Sequence, residues 1–252
     1  MWLAIETSSL VSSVAVMRED ILLGEITMQS GLTHSEQLVP HIDALLTMAR
    51  VNKRDLQGIV VSMGPGSFTG LRIGMGTAKA MAYALQIPLY GVMTLDGLAY
   101  NIPYTTQQIC TVIDAQKKHV YAALYTYDKD KLVSIEEPFV VAASTLVDRL
   151  VENGKDVIFV GDGIKRLAPL VIDSPVLHIA DPIYQIPKAS SLLLAARPDI
   201  QAGNTENSID MVPYYIRRSE AEVLWEEKHK DELETIVEPT VTVIETVSQE
   251  VN

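Results

Sequence analysis

The sequence is poor in cysteine and in long apolar runs. Its single cysteine, Cys110, excludes a disulfide within the chain and fits a reducing compartment. No run of about 18 apolar residues occurs, so we expect no membrane-spanning helix. The opening segment, MWLAIETSSL, has no basic residue before its short apolar run, so we expect no secretory leader. These absences predict a cytoplasmic protein that does not associate with membranes.

Basic residues are also scarce, and the deficit is uneven. The 252 residues carry a net charge of −12, of which residues 219–252 contribute −8 through ten acids and two bases. We expect residues 229–252, which are acidic and rich in Thr and Val, to be a disordered tail. Nothing in the composition predicts a basic face for nucleic acid, so another protein would supply most contacts to any RNA.

Apolar patterning divides the sequence into two similar halves. Three strands joined by tight turns open the chain: WLAIETSS, SSVAVMRED and ILLGEITMQ. A helix after Thr33, the strand GIVVSMG and a helix from about Thr69 to Gln86 follow. The same order of elements recurs from QQICTVIDAQ onward. We therefore predict a duplicated α/β fold with two mixed-sheet domains, at 1–103 and 104–202.

Five glycines crowd residues 64–76 and raise the question of a nucleotide loop. A P-loop ends in Gly-Lys-Ser or Gly-Lys-Thr, which does not occur here, and a dinucleotide fingerprint fails at Thr69 and at Lys79. A stronger pattern is a row of small residues at every fourth position: Gly66, Gly70, Gly74, Ala78 and Ala82. Such a row lets a second backbone approach closer than the usual 8–10 Å between helix axes. The spacing leaves open whether that second element belongs to this protein or to a partner.

Several segments resemble the bacterial TsaB family. They are IETSS, THSEQLVP, GPGSFTGLRIG after a valine-rich strand, VIDAQKKHVYAALY and PYYIRRSEAE. The resemblance spans about residues 1–228, and GPGSFTGLRIG is its most specific motif. It implies the duplicated actin-like (RNase H-like) fold shared by sugar kinases and heat-shock-chaperone ATPases. It also implies that residues 203–228 are a C-terminal segment that packs back on this fold.

The resemblance implies a role in making threonylcarbamoyladenosine, the modified adenosine beside the anticodon of tRNA. Members of the TsaB family are not the catalyst but bind and activate TsaD, the threonylcarbamoyl transferase. TsaC supplies the activated group, TsaE contributes ATPase activity, and tRNA is reached only through the complex. The resemblance therefore assigns no catalytic residue to this chain.

The resemblance also places the helix after GPGSFTGLRIG at the interface with TsaD, or with a second copy of the chain when TsaD is absent. The residues expected at that interface are Gly66, Gly70, Leu71, Ile73, Gly74, Thr77, Ala78 and Met81. On this basis, Gly74→Leu should block association and leave the monomer folded.

A small-molecule kinase or ATPase of the same fold is one alternative. Its first phosphate loop would be Glu6, Thr7, Ser8 and Ser9, and a second turn would be flanked by Gly161 and Gly163. Active members of the fold use an aspartate to help hold Mg²⁺ where this chain has a glutamate, and Mg²⁺ is sensitive to such placement. We therefore expect no cofactor beyond weak binding of ATP or ADP.

A glycoprotease-like metallopeptidase is the second alternative. Relatives of that class hold metal through two histidines four residues apart on a helix, whereas His34 and His41 are seven apart, about 10 Å along a helix. We therefore expect no metal. Ser67 lacks the Gly-x-Ser-x-Gly setting of a nucleophile, and either Ser67 or Thr69 is expected to cap the following helix. A purely structural dimer without an enzyme partner stays open as a third alternative.

Overall fold

The structure is a computed structural model that describes residues 1–29, 33–205, 210–214 and 229. Residues 1–216 form one compact unit that contains both sheets. Residues 217–252 form the other unit, of which only His229 is described, so the expected disorder of the tail lies outside the described residues. Within the described ranges, no helix is long and apolar enough to cross a membrane.

The first sheet has five strands. They are β1 Trp2–Glu6, β2 Ser12–Arg18, β3 Ile21–Met28, β4 Gly58–Gly64 and β5 Leu89–Met93. Their order is β3-β2-β1-β4-β5, with β1–β2 and β2–β3 antiparallel and β1–β4 and β4–β5 parallel. Three helices are interspersed: α1 His34–Met48, α2 Phe68–Leu85 and α3 Thr94–Ala99. β4 is almost wholly buried, which explains why its sequence is continuously apolar instead of alternating.

The second sheet repeats this arrangement. Its strands are β6 Gln108–Asp114, β7 His119–Asp128, β8 Lys131–Ala142, β9 Val157–Val160 and β10 Leu177–Ile179. Its helices are α4 Ala143–Asn153, α5 Ile164–Val171 and α6 Ala189–Ala202. The order β8-β7-β6-β9-β10 matches that of the first sheet strand for strand, with the same parallel and antiparallel pairs. The predicted duplication of an α/β unit is therefore confirmed.

The last helix, α6, packs on the first sheet and not on the second. Its buried residues Leu192 and Leu193 share a core cluster with Val60 and Val92 of the first sheet. Glu25 on β3 accepts hydrogen bonds from Ser190 N at 2.9 Å and from Ser190 Oγ at 2.8 Å. This helix, which the sequence analysis assigns to the unit at 104–202, therefore crosses back to cover the first half.

The short helix α3 has no counterpart in the predicted order of elements. Its Leu95 and Leu98 pack into a cluster with Ile109 and Ile113 of the second sheet. Its Asp96 Oδ1 accepts a hydrogen bond from the hydroxyl of Tyr125 at 2.6 Å. Burial raises the pKa of Asp96 despite this bond. Six residues are too few for a clear helical period, so the sequence pattern could not reveal this bridge between the halves.

Part of the C-terminal segment packs on the first half. Met211 is buried in the core that α1 and α2 form with the first sheet. Tyr214 N donates a hydrogen bond to the carbonyl oxygen of Met63 at 2.7 Å. Met211 and Tyr214 of this segment therefore contact the first half, and the return of residues 203–228 as a whole stays a prediction. Residues 206–209 and 215–228 lie outside the described residues.

Candidate functional site

The turn between β4 and α2 begins the helix that the glycine motif predicts. Ser67 is the N-cap of this helix, and its Oγ accepts a hydrogen bond from Gly70 N at 3.3 Å. At the other end, Gln86 is the C-cap in the left-handed conformation, with φ at 55°. Of the two capping residues that the sequence left open, the structure selects Ser67.

The predicted row of small residues faces inward, onto the turn between β1 and β2. A Cβ added at Gly70 would overlap the carbonyl oxygen of Thr7, and one added at Gly74 would overlap the hydroxyl oxygen of Thr7. A Cβ at Gly66 would likewise overlap the carbonyl oxygen of Ser8. The hydroxyl of Thr7 donates to the carbonyl oxygen of Gly70 at 2.8 Å. These glycines therefore serve close packing within the protomer.

This packing corrects half of the predicted partner interface. The buried members are Gly70, Leu71, Gly74 and Ala78. Thr7 covers Gly70 and Gly74, and Leu71 and Ala78 are buried within the protomer, so none of the four presents a surface to a partner. Gly74→Leu is consequently a wrong test of association, since the new side chain would collide with Thr7 before any partner is met. The remaining members are only half-buried, and their contact with a partner stays a prediction: Gly66, Ile73, Thr77 and Met81.

The opposite face of α2 carries a second row of small residues. This row consists of Gly76, Ala80 and Ala84, all exposed. A Cβ added at Gly76 would meet no atom within 4 Å. Tyr83, also on this face, has 69% of its surface exposed. The sequence contains the same every-fourth spacing shifted by two residues, but spacing alone does not reveal which of the two rows faces solvent.

The exposed face of α2 is also basic. The helix contains Arg72 and Lys79 and no acidic residue. The guanidinium of Arg72 lies 3.9 Å from the centre of the Phe68 ring, which positions it on the surface. Tyr and Arg are enriched among the residues that dominate protein interfaces. The small side chains of this face leave room for a closely approaching helix.

Helix α1 lies beside α2. It begins with the capping box that the sequence predicts, since Thr33 N donates to Glu36 Oε2 at 2.9 Å. Val39 and Met48 of this helix are 59% and 69% exposed. Exposed apolar side chains are thus also present on the helix that neighbours α2.

The first candidate phosphate loop is filled by the protein itself. Glu6 is fully buried, and its Oε1 accepts a hydrogen bond from Ser8 N at 2.6 Å. Burial raises the pKa of Glu6 above its usual value. The carbonyl oxygen of Ser8 accepts from Ser67 N at 2.6 Å, and that of Ser9 lies 2.7 Å from His34 Nε2. Residues 64–70 therefore occupy the space above this turn, and binding of a nucleotide there stays a prediction.

The second candidate phosphate turn is built in a related way. Gly161 has φ at 118°, and Gly163 N donates to the carbonyl oxygen of Val112 at 3.1 Å. Asp162 Oδ1 accepts from Asp114 N at 3.0 Å. Asp114 ends β6 as Glu6 ends β1, and each carboxylate accepts the N–H two residues further on. The predicted duplication could have identified Asp114 as the counterpart of Glu6, but the sequence interpretation missed it.

The two histidines considered as metal ligands, His34 and His41, contact different residues of the protein. His34 bonds to the carbonyl oxygen of Ser9, and His41 Nδ1 is 3.5 Å from Ser12 Oγ. Among the described residues, no three His, Cys, Asp or Glu side chains lie close enough together to hold a metal ion. Through these contacts the two histidines help to position the turn between β1 and β2.

Two copies of one five-stranded unit in the order 3-2-1-4-5 place the protein in the actin-like ATPase fold class. A family model described as TsaD, tRNA N6-adenosine threonylcarbamoyltransferase, matches residues 28–225. The tRNA threonylcarbamoyladenosine biosynthesis protein TsaB of Bacillus subtilis is 32% identical over 232 residues, covering 90% of this chain and 99% of that protein. The chain belongs to the TsaB family, within the wider group that the TsaD model describes.

Two further similarities span most of the chain. TsaB of Escherichia coli is 28% identical over 222 residues, which cover 87% of this chain and 95% of that protein. The solved structure of YeaZ from Pseudomonas aeruginosa superposes with a TM-score of 0.73 at 25% identity, covering 85% of this chain and 98% of that one. Membership of the TsaB family links the protein to threonylcarbamoyladenosine biosynthesis.

Proposed function

We propose that the protein is a non-catalytic subunit that binds and activates TsaD during threonylcarbamoyl transfer to tRNA. The exposed face of α2 is the docking surface, and two copies pair through the same face when TsaD is absent. TsaC and TsaE act in the same pathway, and tRNA is engaged in the assembled complex. The observation that carries this proposal is the open row Gly76, Ala80 and Ala84 beside exposed Tyr83.

The geometry of α2 supports association with another helix. Glycine in a helix interior costs about 0.5–1 kcal/mol relative to alanine, and the packing of the protomer does not require it at Gly76. A glycine there is accounted for if a partner backbone approaches closely. The exposed Tyr83 and Arg72 supply side chains suited to the centre of such an interface.

The contacts of the turn between β1 and β2 support the proposal that this subunit does not catalyse the reaction itself. The fold's usual position for an ion-binding carboxylate holds the buried Glu6, whose raised pKa disfavours the charged form that a metal needs. The turn's carbonyl oxygens bond to Ser67 and His34 instead of facing a ligand cleft. These contacts favour an accessory role over the kinase alternative.

The proposal is tested by measuring threonylcarbamoyladenosine on tRNA with purified TsaC, TsaD and TsaE, with and without this chain. We expect product formation to depend on the chain and to saturate at one copy per TsaD. A further reaction contains the Ala80→Glu variant in place of the wild-type chain. This substitution places an acid on the proposed docking face and should reduce the yield. Equal product with and without the chain would refute the activating role and favour the kinase alternative.

A further inference from the structure

A small cavity lies where the end of α6 meets the edge strand of the first sheet. It has a volume of about 330 Å³. The described residues that line it are Tyr90 and Gly91 on β5, Asp199 in the last turn of α6, and Asn204 and Thr205 just beyond that helix. The last three are exposed, so the cavity opens to solvent. Ligand pockets range from about 300 to 1,000 Å³, so this volume suits a small ligand.

Tyr90 supplies the cavity with a fixed hydroxyl group. Only 5% of the surface of Tyr90 is exposed, and its ring meets the Trp2 ring edge-on, with 5.5 Å between the ring centres. The hydroxyl of a buried tyrosine usually has a hydrogen-bond partner. In the described part of the chain, the Tyr90 hydroxyl has none. A packed ring with an unpaired hydroxyl beside a cavity is the arrangement expected where a ligand completes the hydrogen bond.

The carboxylate of Asp199 gives the cavity a negative charge. Its Oδ1 accepts a hydrogen bond from Asn204 Nδ2 at 3.3 Å, and no base among the described residues pairs with it. Burial raises the pKa of the Tyr90 hydroxyl, and the charge of Asp199 raises it further, so the hydroxyl and the carboxylate lie near each other. Arg197, the base within α6, is directed elsewhere, with its Nη2 2.8 Å from Asp20 Oδ1. The charge of Asp199 is therefore available to a ligand.

The C-terminus of α6 adds to this negative potential. The end of a helix carries a partial negative charge, which favours bases in the last turn and disfavours acids. The last turn of α6 contains Asp199 and no base. Gly203 ends the helix with φ at 69°, and Asn204 N donates to the carbonyl oxygen of Asp199 at 2.9 Å, which brings Asn204 back beside the acid. An acid that its own helix disfavours is accounted for if a cation binds beside it.

We propose that this cavity binds a small organic cation, whose ammonium group contacts the Asp199 carboxylate and whose neighbouring polar group bonds to the Tyr90 hydroxyl. An ammonium group has three donors and no acceptor, which matches a carboxylate that has an oxygen to spare. The hydroxyl of Tyr90 both donates and accepts, so it suits a hydroxyl or carbonyl group a few atoms from the ammonium.

This site is independent of the proposed docking face. Helix α6 packs on the face of the first sheet that carries Val60 and Tyr90, whereas α2 packs on the opposite face, with Val61 and Leu89. Binding of a cation beside Asp199 therefore requires neither TsaD nor a second copy of the chain, and it can be tested on the isolated protein.

The test is a titration of the full-length protein with ethanolamine at neutral pH and constant ionic strength, followed by the NMR signals of the backbone amides. Ethanolamine carries an ammonium and a hydroxyl group, and ethylene glycol is the matched neutral ligand. Two variants remove one group each from the cavity: Asp199→Asn removes the charge, and Tyr90→Phe removes only the hydroxyl. The matched control is Asp148→Asn, which removes the same charge from an exposed position on α4 in the second half.

Ethanolamine should shift the amide signals around Gly91 and Asn204, with a Kd of about 0.1–10 mM, as expected for a ligand of so few atoms. Asp199→Asn should weaken binding about ten- to hundredfold, because it removes a hydrogen bond to a charged group. Tyr90→Phe should weaken it about two- to tenfold, as for a neutral hydrogen bond. Asp148→Asn should bind like the wild type, and ethylene glycol should bind at least about tenfold more weakly than ethanolamine.

Three outcomes would overturn this inference. The first is an absence of shifts around the cavity at ethanolamine concentrations up to about 50 mM, well above the expected Kd. The second is an equal loss of affinity in Asp148→Asn, because the effect would then be one of net charge. The third is equal affinity for ethylene glycol, which would show that the cavity does not select a cation.

Thermal unfolding of each variant checks that the fold is intact. Asp199→Asn should be at least as stable as the wild type, since it removes an acid from the end of a helix. If Asp199→Asn nevertheless fails to fold, Tyr90→Phe decides the question, because it keeps the ring that packs on Trp2. Wild-type affinity for ethanolamine in that variant would overturn the inference.

Discussion

Substitution of Gly76 separates the stability of the protomer from its association. Gly76 is exposed in the middle of α2, and an added Cβ meets nothing within 4 Å in the protomer. Gly76→Ala should therefore raise the free energy of unfolding of the isolated chain by about 0.5–1 kcal/mol, the helical cost of glycine. For a compact unit of this size, that gain corresponds to roughly 1–4 °C in Tm. Gly76→Leu should be stabilising by nearly as much, because leucine is also a good helix former.

The effect on association should have the opposite sign. A leucine at Gly76 would stand between two helices that approach along a row of small residues. Overpacking of a close interface typically costs about 1–3 kcal/mol, which is about five- to 150-fold in Kd for one copy. A pair of identical chains would carry the substitution twice, so homodimerisation should weaken more than binding to TsaD. Gly76→Ala should weaken both interactions less than Gly76→Leu.

The assay pairs two measurements on the same variants. Thermal unfolding is recorded at protein concentrations where the chain is monomeric, so that dimerisation does not contribute to Tm. Association with TsaD is titrated by calorimetry, and self-association is followed by sedimentation. A Gly76→Leu chain that is more stable and yet binds TsaD with wild-type affinity would refute the assignment of this face. Loss of both stability and binding would show that Gly76 packs inside the protomer.

Two further predictions concern the turn under α2. Gly74→Ala should lower the free energy of unfolding by about 1–3 kcal/mol, because its Cβ overlaps Thr7, and a thermal unfolding curve like that of wild type would contradict this packing. For Glu6, burial raises the folded-state pKa, so its proton stabilises the fold below the unfolded value of about 4.3, and this contribution is lost as pH rises through the folded pKa. Glu6→Gln should therefore gain stability relative to wild type as pH rises above about 4.3 in urea unfolding, and parallel pH profiles would refute the burial of a titrating carboxyl.

Much of the fold could be predicted because its signals are local. The period of apolar residues revealed strands and helices, and the hydroxyl before each periodic run revealed the cap at Thr33 and limited the cap of α2 to Ser67 or Thr69. The repeated order of these elements revealed the duplication. The crossing of α6 back to the first sheet was not predictable, since it depends on contacts such as that of Ser190 with Glu25, 165 residues apart.

In the candidate site too, features set by local sequence could be predicted, whereas features set by tertiary contacts could not. Every-fourth spacing identified α2 as a helix with a row of small residues, but α2 carries two such rows. Only the position of Thr7 against Gly70 and Gly74 decides which row is internal. Spacing along one element cannot contain that information, because it is a property of the element against which the helix packs.

The two halves share one scaffold but present different chemistry at equivalent turns. In each half, a carboxylate ends the first strand and accepts a hydrogen bond from the N–H two residues later. In each half, the first residue of a helix also bonds to the turn: His34 of α1 bonds to Ser9, and Ala143 of α4 bonds to Lys118. In the first half, the glycines of the 18-residue α2 let it pack closely on the turn, where Glu6 is buried, and the outer face of the helix stays exposed. In the second half, the eight-residue α5 leaves the tip of the turn exposed, so its lysines stay in contact with solvent. Duplication has thus kept the backbone bond of the turn while changing how deeply its carboxylate is buried, from the fully buried Glu6 to the partly exposed Asp114.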